Sequence, residues 1–200
     1  YLSLFAPIVF GWEWVESETE LLNCSESDIN AAKKQLYKRH LIGRVEEREG
    51  GYKIHPLIRE FLQAKLAASE QADEFRQAFT TAFVEFAKVI PQPPTCEFIE
   101  LVKDFVPHLE EVARNQTDML QDGDLVWPFI GLGRFYKGQG LYALAEPWLQ
   151  QCLELSQRLL GQDHPHLAAS LNNLAGLYYS QGLYQQAEPL LVKALELSQR

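Results

Sequence analysis

Few side chains in this sequence have the types and spacings that chemistry requires. The three cysteines, Cys24, Cys96 and Cys152, are odd in number and far apart, whereas disulfide frameworks and zinc sites need paired or closely spaced residues. No serine, cysteine or carboxylate pair stands in a motif with a matched base, and His164 and His166 lie in a connector between two repeated segments. We therefore expect no catalysis, no metal ion and no cofactor in this chain, and reduced thiols in a cytoplasmic protein.

The composition is that of a folded chain without membrane spans. Of 200 residues, 46% are hydrophobic and 22% are charged, which is too apolar for a disordered protein. No apolar run approaches the roughly 20 residues that a membrane-spanning helix needs. The apolar stretch 1–10 lacks the basic flank and the cleavage site of a signal peptide. The chain begins with Tyr1 and stops at Arg200 inside a helical pattern, so we expect it to be part of a longer protein.

The strongest internal signal is a repeat with a constant offset of 42 residues, as from Leu132 to Leu174. Three segments return at this offset: 132–142 as 174–184, 145–149 as 187–191, and 153–158 as 195–200. Within each unit, apolar residues at helical spacing predict a buried helix face. Gly182 is expected to end the first helix in the left-handed conformation, and Pro189 is expected near the first turn of the second.

The repeated units predict a mainly α-helical fold in which antiparallel helix pairs stack into an α-α superhelix with a concave face. The connector 160–165 supplies Gly161 to stop one unit and Asp163 and Pro165 to start the next. Cys152 stands where the second unit has Ala194, so we expect a small buried packing residue rather than a reactive thiol.

The repeat resembles a known family over about residues 125–200. Its pattern of apolar, small and aromatic positions resembles the tetratricopeptide repeat: Leu174, Ala175, Tyr178, Gly182, Tyr184, Ala187, Leu191 and Ala194. The 42-residue period, the Ala-Glu-Pro triplet and the Leu-Gly-x-x-His-Pro connector resemble the long variant found in kinesin light chains. In that variant, asparagines of the first helix hydrogen-bond a peptide backbone, which implies this role for Asn172 and Asn173. The first unit has Ile130 and Gly131 at the same places, so the ladder of asparagines is not continuous.

Four more residues are expected on or near the concave face: Trp127, Arg134, Lys137 and Tyr179. They offer a stacking surface and two cations to an acidic or extended protein or peptide ligand. The alternative is that they only pack or solvate the superhelix.

Residues 67–124 are predicted to be a helical linker or a degenerate repeat pair. Phe75, Phe79, Phe83 and Phe86 form one apolar stripe at helical spacing, which Pro91 to Pro94 terminate. A second helix begins with Phe98, Leu101, Val102, Phe105 and Leu109. Most of the chain's net negative charge lies in this segment, and a solvent-exposed outer face of the helices explains it.

Residues 1–66 are predicted to form a winged-helix-like unit. Ser25 to Asp28 form a capping cluster before a helix whose apolar positions are Ile29, Ala32, Leu36, Tyr37 and Leu41. Two short runs flank Gly50 and Gly51, which indicates a β-hairpin, and a helix from Pro56 to about Leu66 closes the unit.

The segment 52–61, Tyr-Lys-Ile-His-Pro-Leu-Ile-Arg-Glu-Phe, resembles the winged helix of signalling ATPases of the NB-ARC type (the STAND class), which in bacteria often carry tetratricopeptide repeats directly behind it. The resemblance implies a missing nucleotide-binding domain as a partner. In that family a Met-His-Asp motif senses the nucleotide's phosphate, which makes His55 a candidate sensor in a full-length protein. Pro56 replaces the aspartate, so His55 could instead bond nearby backbone. No phosphate-binding loop is present, so this chain is not an ATPase by itself.

A DNA-binding regulator is the alternative function. Between Asp28 and Arg48, basic residues outnumber acidic ones, as the recognition helix and wing of a DNA-binding winged helix would require. The basic residues are Lys33, Lys34, Lys38, Arg39, Arg44 and Arg48, and the acidic ones are Asp28, Glu46 and Glu47. The surplus is small and the net charge of the chain is -9, so nucleic acid is the less favoured partner.

Overall fold

A computed structural model describes residues 2–6, 9–21, 25–46, 50–160 and 164–199. Seven residues named in the sequence analysis lie outside the described ranges: Tyr1, Cys24, Glu47, Arg48, Gly161, Asp163 and Arg200. The described chain is mainly helical with one small sheet, which confirms the predicted fold class. The helices are α1 (Trp12–Leu21), α2 (Glu26–Lys38), α3 (Pro56–Ala67), α4 (Ala72–Val89), α5 (Cys96–Val102), α6 (Val106–Asn115), α7 (Trp127–Gly138), α8 (Tyr142–Leu155), α9 (Pro165–Ser180) and α10 (Tyr184–Ser198). The strands are β1 (Phe10–Gly11), β2 (Ile42–Arg44) and β3 (Gly51–Ile54).

The sheet lies in the N-terminal part of the chain, with antiparallel strands in the order β1-β3-β2. The hairpin predicted around Gly50 and Gly51 is present as β2 and β3, with Ile42 opposite Ile54. Strand β1 pairs with the other edge of β3 and was not predicted, because a two-residue strand has no readable period.

Helix α2 begins at its predicted cap, where the Ser25 hydroxyl accepts a hydrogen bond from the Asp28 backbone N–H at 3.1 Å. Its predicted apolar face is wrong in part, since Ile29 is buried but Ala32 and Tyr37 are exposed and the helix ends before Leu41. Few elements pack against α2, so the helical spacing of apolar residues predicted more buried positions than the fold provides.

The middle of the chain forms three helices rather than two. Phe79 and Phe83 of α4 are buried as predicted. The second predicted helix is divided into α5 and α6, and Leu101 is 73% exposed rather than part of an apolar face. Lys103 caps α5, and Val106 starts α6 with Pro107 in its first turn, where a proline favours a new helix start.

The C-terminal helices follow the 42-residue repeat. Gly140 and Gly182 have φ values of +72° and +76° at the ends of α7 and α9, as predicted for Gly182. The predicted place of Pro189 is wrong: α10 begins at Tyr184, and Pro189 lies inside the helix, as Pro147 does in α8. The N-cap of α9 is His164, whose side chain accepts from the His166 N–H.

Helices α6 to α10 each pack on the next, and α4 packs on both α6 and α7. One apolar core runs without interruption from Leu2, through Phe10, Phe79 and Leu109, to Cys152. Residues on both sides of the expected boundary at 66/67 therefore share a core.

Segment 2–6 makes several of the contacts that join the N-terminal part to the middle helices. The Phe5 ring packs edge-on against Phe79 at 5.2 Å and against the buried His108 at 5.1 Å. The Ala6 N–H donates to His108 Nδ1 at 2.9 Å. Arg59 of α3 donates to the Phe5 carbonyl at 2.7 Å, which also ties the segment to α3.

Candidate binding groove

Helix α7 is held close to its neighbours by glycines. A Cβ atom on Gly131 would lie 3.0 Å from the Ala87 Cβ of α4, and one on Gly133 would lie 2.4 Å from Leu149 Cδ2 of α8. Glycine permits this close approach because it has no side chain. Gly131 and Ile130 are therefore buried packing residues, which explains why the asparagine positions of α9 have no counterpart on α7.

One side of α7 carries three of the predicted groove residues: Trp127, Arg134 and Lys137, all half-buried. The guanidinium of Arg134 lies 5.9 Å from the Trp127 ring centroid and donates to the Ile90 carbonyl at 3.1 Å. Arg134 thus uses part of its donor capacity within the chain, while its Nε is buried without a hydrogen-bond partner among the described residues. Burial lowers the pKa of the Arg134 guanidinium.

Lys137 reaches from α7 towards α9. Its Nζ lies 3.1 Å from the place where a Cβ on Gly176 would be, and the Gln92 amide nitrogen lies 4.0 Å from the same point. Burial lowers the pKa of the Lys137 ammonium below its ordinary value. In the described part of the chain, no carboxylate forms an ion pair with Lys137 or Arg134.

The asparagines and the tyrosine of α9 lie on its more open side. Asn172 is exposed, and Asn173 is half-buried with its amide donating to the Ala169 carbonyl at 2.8 Å. Tyr179 is exposed and contacts the Tyr184 ring edge-on. The structure thus brings Lys137 of α7 beside Gly176 of α9. Gly176 lies between the predicted groove residues Asn173 and Tyr179 in the sequence. Sequence reasoning missed Gly176 and Gln92, since Gln92 lies in a loop that no repeat position predicts.

The predicted sensor His55 lies in the N-terminal part, at the start of α3. Its Nδ1 accepts from the Leu57 N–H at 3.3 Å, so it caps the helix, as the alternative interpretation of this histidine expects. It also lines a pocket of about 460 Å³ at the corner of β2, β3 and α3, with Val9, His40, Leu41, Gly43, Lys53, Ile54 and Pro56.

The cationic side chains of α2 differ in availability. Lys33 lies over the rings of Trp12 and Tyr52, at 4.9 and 5.1 Å from their centroids, and is thus engaged inside the chain. Lys34, Lys38 and Arg39 are exposed.

Cys152 is fully buried, as expected from its counterpart Ala194. Its Sγ lies 3.1 Å from the Ser170 hydroxyl, and burial raises its thiol pKa to about 11, so it is protonated at neutral pH. Within the described residues, no three His, Cys, Asp or Glu side chains form a group that could hold a metal ion. None of the described helices is long and apolar enough to cross a membrane.

Two half-buried tyrosines join successive helix pairs, and sequence reasoning missed both contacts. The Tyr136 hydroxyl of α7 donates to Glu110 of α6 at 2.6 Å, and the Tyr178 hydroxyl of α9 donates to Glu146 of α8 at 3.0 Å. Burial and the bond to Glu110 raise the pKa of Tyr136. We call these contacts tyrosine–glutamate pairs.

Replacing Tyr136 by phenylalanine is expected to lower the free energy of unfolding by about 1–2 kcal/mol, since Glu110 loses a donor. The raised pKa in the folded state means that this stabilisation is complete below the ordinary tyrosine pKa of about 10 and is lost as the pH rises further. Chemical denaturation between neutral and strongly alkaline pH measures both effects. An equal alkaline loss in the parent chain and the variant would contradict the assignment.

Comparison with known proteins is informative for the C-terminal part. Residues 124–200 match the family model described as "Tetratricopeptide repeat", whose members generally mediate protein–protein interaction. The chain is 37% identical to mouse nephrocystin-3 over 81 residues, and 44% identical to nephrocystin-3 of Xenopus laevis over 79 residues. Each match covers 40% of this chain and 6% of the relative, so the chain spans a small fraction of these curated relatives. No solved structure matches the chain.

Proposed function

We propose that the groove between α7 and α9 binds an extended acidic segment of a partner protein, and that the chain has no catalytic activity of its own. The observation that carries this proposal is the pair of half-buried cations, Arg134 and Lys137, which no described carboxylate neutralises. Burying charge without a counter-charge is costly, so a ligand carboxylate would recover part of that cost.

The groove also has the parts that an extended backbone needs. Asn172 and Asn173 carry amides that both donate and accept hydrogen bonds. Asn172 is exposed, while Asn173 would exchange its bond to the Ala169 carbonyl for one to the ligand. Trp127 and Tyr179 flank this region with aromatic surface. The Lys137 ammonium lies directly against Gly176, whose lack of a side chain permits this approach, and it is the group that would bind a ligand carboxylate.

The N-terminal part is proposed to couple this groove to a nucleotide-binding domain of a cytoplasmic, bacterial signalling ATPase. The order β1-α1-α2-β2-β3, with a hairpin after α2, supports the winged-helix interpretation, and the pocket beside His55 could face that domain. The core shared with α4 and α6 supports the coupling, because a rigid contact transmits movement better than a flexible linker. In a full-length protein, a change in nucleotide affinity on His55→Ala would test the sensor role.

Duplex DNA is the second candidate partner, because Lys34 and Lys38 are exposed on α2 and Arg39 is exposed directly after it. The engagement of Lys33 with Trp12 and Tyr52 reduces this surface. Salt-dependent binding of the full chain to duplex DNA would favour this function, and no binding at low salt would exclude it.

The proposed groove is tested by changing Asn172 and Asn173 to alanine together. Peptides are first selected on the full chain from a random library, and their affinities are then measured by fluorescence polarisation. We expect roughly tenfold weaker binding and an almost unchanged melting temperature, because each lost hydrogen bond contributes about 0.5–1.5 kcal/mol. A large loss of melting temperature would show that the asparagines are structural. Enriched peptides without acidic residues would contradict the ligand class.

A further inference from the structure

The loop that follows α4 is longer than the turns at the same place in the two repeated helix pairs. It comprises six residues, 90–95, whereas the turns 139–141 and 181–183, after α7 and α9, have three residues each. We call residues 90–95 the proline-rich loop, since three of them are prolines. Its additional length is not needed to join two helices of this array.

Both ends of the proline-rich loop are held against α7. Ile90 is fully buried, and its carbonyl accepts a hydrogen bond from Arg134 at 3.1 Å. Pro94 is buried at the other end and packs so closely on Gly138 that a Cβ atom on this glycine would collide with the proline ring. The two other prolines of the loop fix their backbone φ angles. The loop is therefore held in one position on α7 rather than free to swing away.

The tip of the loop reaches the groove between α7 and α9. Gln92 is exposed, and its side-chain amide nitrogen lies 4.0 Å from the point where a Cβ on Gly176 would be. The Lys137 ammonium lies 3.1 Å from the same point. Two groups from different elements thus converge on one place of α9, where the absence of a side chain permits both to approach.

Both groups are hydrogen-bond donors with spare capacity. Within the described part of the chain, the Gln92 amide forms no hydrogen bond and the Lys137 ammonium forms no ion pair. A carboxylate can accept from both, because its two oxygens have about four lone-pair positions. Hydrogen bonds to a charged acceptor are also stronger than those between neutral groups.

We infer that the proline-rich loop is a fixed edge of the groove, and that Gln92 and Lys137 donate together to one side-chain carboxylate of the bound segment. This role rests on the proposed function, and it adds a residue from outside the tetratricopeptide segment 124–200. A fixed amide bonds only an oxygen that is correctly placed, because hydrogen bonds are directional. The groove therefore selects an acidic side chain at one defined position of the ligand, rather than negative charge in general.

Two changes of Gln92 test this role with acidic peptides selected on the full chain. Gln92→Ala is expected to weaken binding about fivefold, because the ligand carboxylate loses one hydrogen bond. Gln92→Glu is expected to weaken it about 15-fold, because two carboxylates then repel each other. Neither change is expected to move the melting temperature, since Gln92 is exposed. Fluorescence polarisation and thermal denaturation measure the two effects.

Two controls separate a specific contact from a general effect of charge. Gln185→Glu makes the same change on the exposed side of α10 and is expected to leave peptide affinity almost unchanged. The second control changes the peptide: each of its acidic residues is replaced in turn by the corresponding amide. At one of these positions, the replacement is expected to abolish the effect of Gln92→Glu, because the repelled carboxylate is then absent.

A double-variant comparison tests whether Gln92 and Lys137 bind the same carboxylate. Lys137→Met removes the ammonium and keeps the apolar stem. The loss of affinity for the combined variant, Gln92→Ala with Lys137→Met, is expected to differ about threefold or more from the product of the separate losses. A simple product of the two losses would contradict a shared carboxylate.

The possible failures are distinguishable from one another. Unchanged affinity for both Gln92 variants, while Lys137→Glu still weakens binding, would overturn the role of Gln92 and leave the proposed groove intact. Tighter binding by Gln92→Ala would also overturn it, because the loop would then compete with the ligand. If no acidic peptide is enriched on the parent chain, the proposed function fails, and the role of Gln92 fails with it.

Discussion

Replacing Phe5 by alanine is expected to lower the free energy of unfolding by about 3–5 kcal/mol, the range found for buried phenylalanines. The Phe5 ring is fully buried and packs against rings from three other elements: Phe10 of β1, Phe79 and Phe83 of α4, and His108 of α6. Its loss removes apolar contacts and leaves a cavity between the N-terminal part and the middle helices. Urea denaturation followed by circular dichroism measures the change.

The control for this prediction is Phe61→Ala on α3. Phe61 is 58% exposed, so its removal is expected to change the free energy of unfolding by less than about 1 kcal/mol. A two-step transition for Phe5→Ala would indicate that the variant separates the N-terminal part from the repeats. Similar small effects of Phe5→Ala and Phe61→Ala would contradict the shared core.

The largest expected effect on binding is that of Lys137→Glu, roughly 30-fold or more for an acidic peptide. The change replaces the half-buried ammonium beside Gly176 with a carboxylate, which repels the ligand charge that Lys137 would bind. The melting temperature is expected to change little, because no described acidic residue pairs with Lys137. Fluorescence polarisation with peptides selected on the parent chain measures the loss of affinity.

Lys193→Glu is the matched control, because Lys193 is exposed on α10, away from α7. It makes the same change in net charge, so equal losses for the two variants would indicate a general electrostatic effect rather than a groove contact. Raising the salt concentration should weaken the control's effect more than that of Lys137→Glu, since exposed charges are screened more strongly.

The sequence was most informative where local periodicity and long-range structure coincide. The 42-residue offset predicted the two C-terminal helix pairs and the left-handed Gly182, since each repeat position has one packing role. The predicted place of Pro189 was wrong because the backbone of α10 begins earlier, at Tyr184. Leu101 fits a helical pattern, but whether its side chain is buried depends on the neighbouring elements rather than on the pattern.

The candidate groove was predictable only in part. Helical spacing placed Trp127, Arg134 and Lys137 on one side of α7. The bond from Arg134 to the Ile90 carbonyl, 44 residues earlier in the chain, depends on the path of the proline-rich loop that follows α4. The position of Gln92 beside Lys137 depends on the same loop. Likewise, the tyrosine–glutamate pairs join residues 26 and 32 positions apart, so no local pattern could reveal them.

The glycines of α7 have a consequence for how this helix tolerates substitution. Gly131, Gly133 and Gly138 face Ala87, Leu149 and Pro94 at distances too short for an added Cβ atom without movement of a neighbour. In most buried helices, the substitutions that lower the free energy of unfolding most are those that remove side-chain volume. At these three positions, we expect the destabilising substitutions to be those that add side-chain volume. Helix α7 therefore acts as the spacer of the array: its backbone, rather than its side chains, sets how closely α4 and α8 can approach.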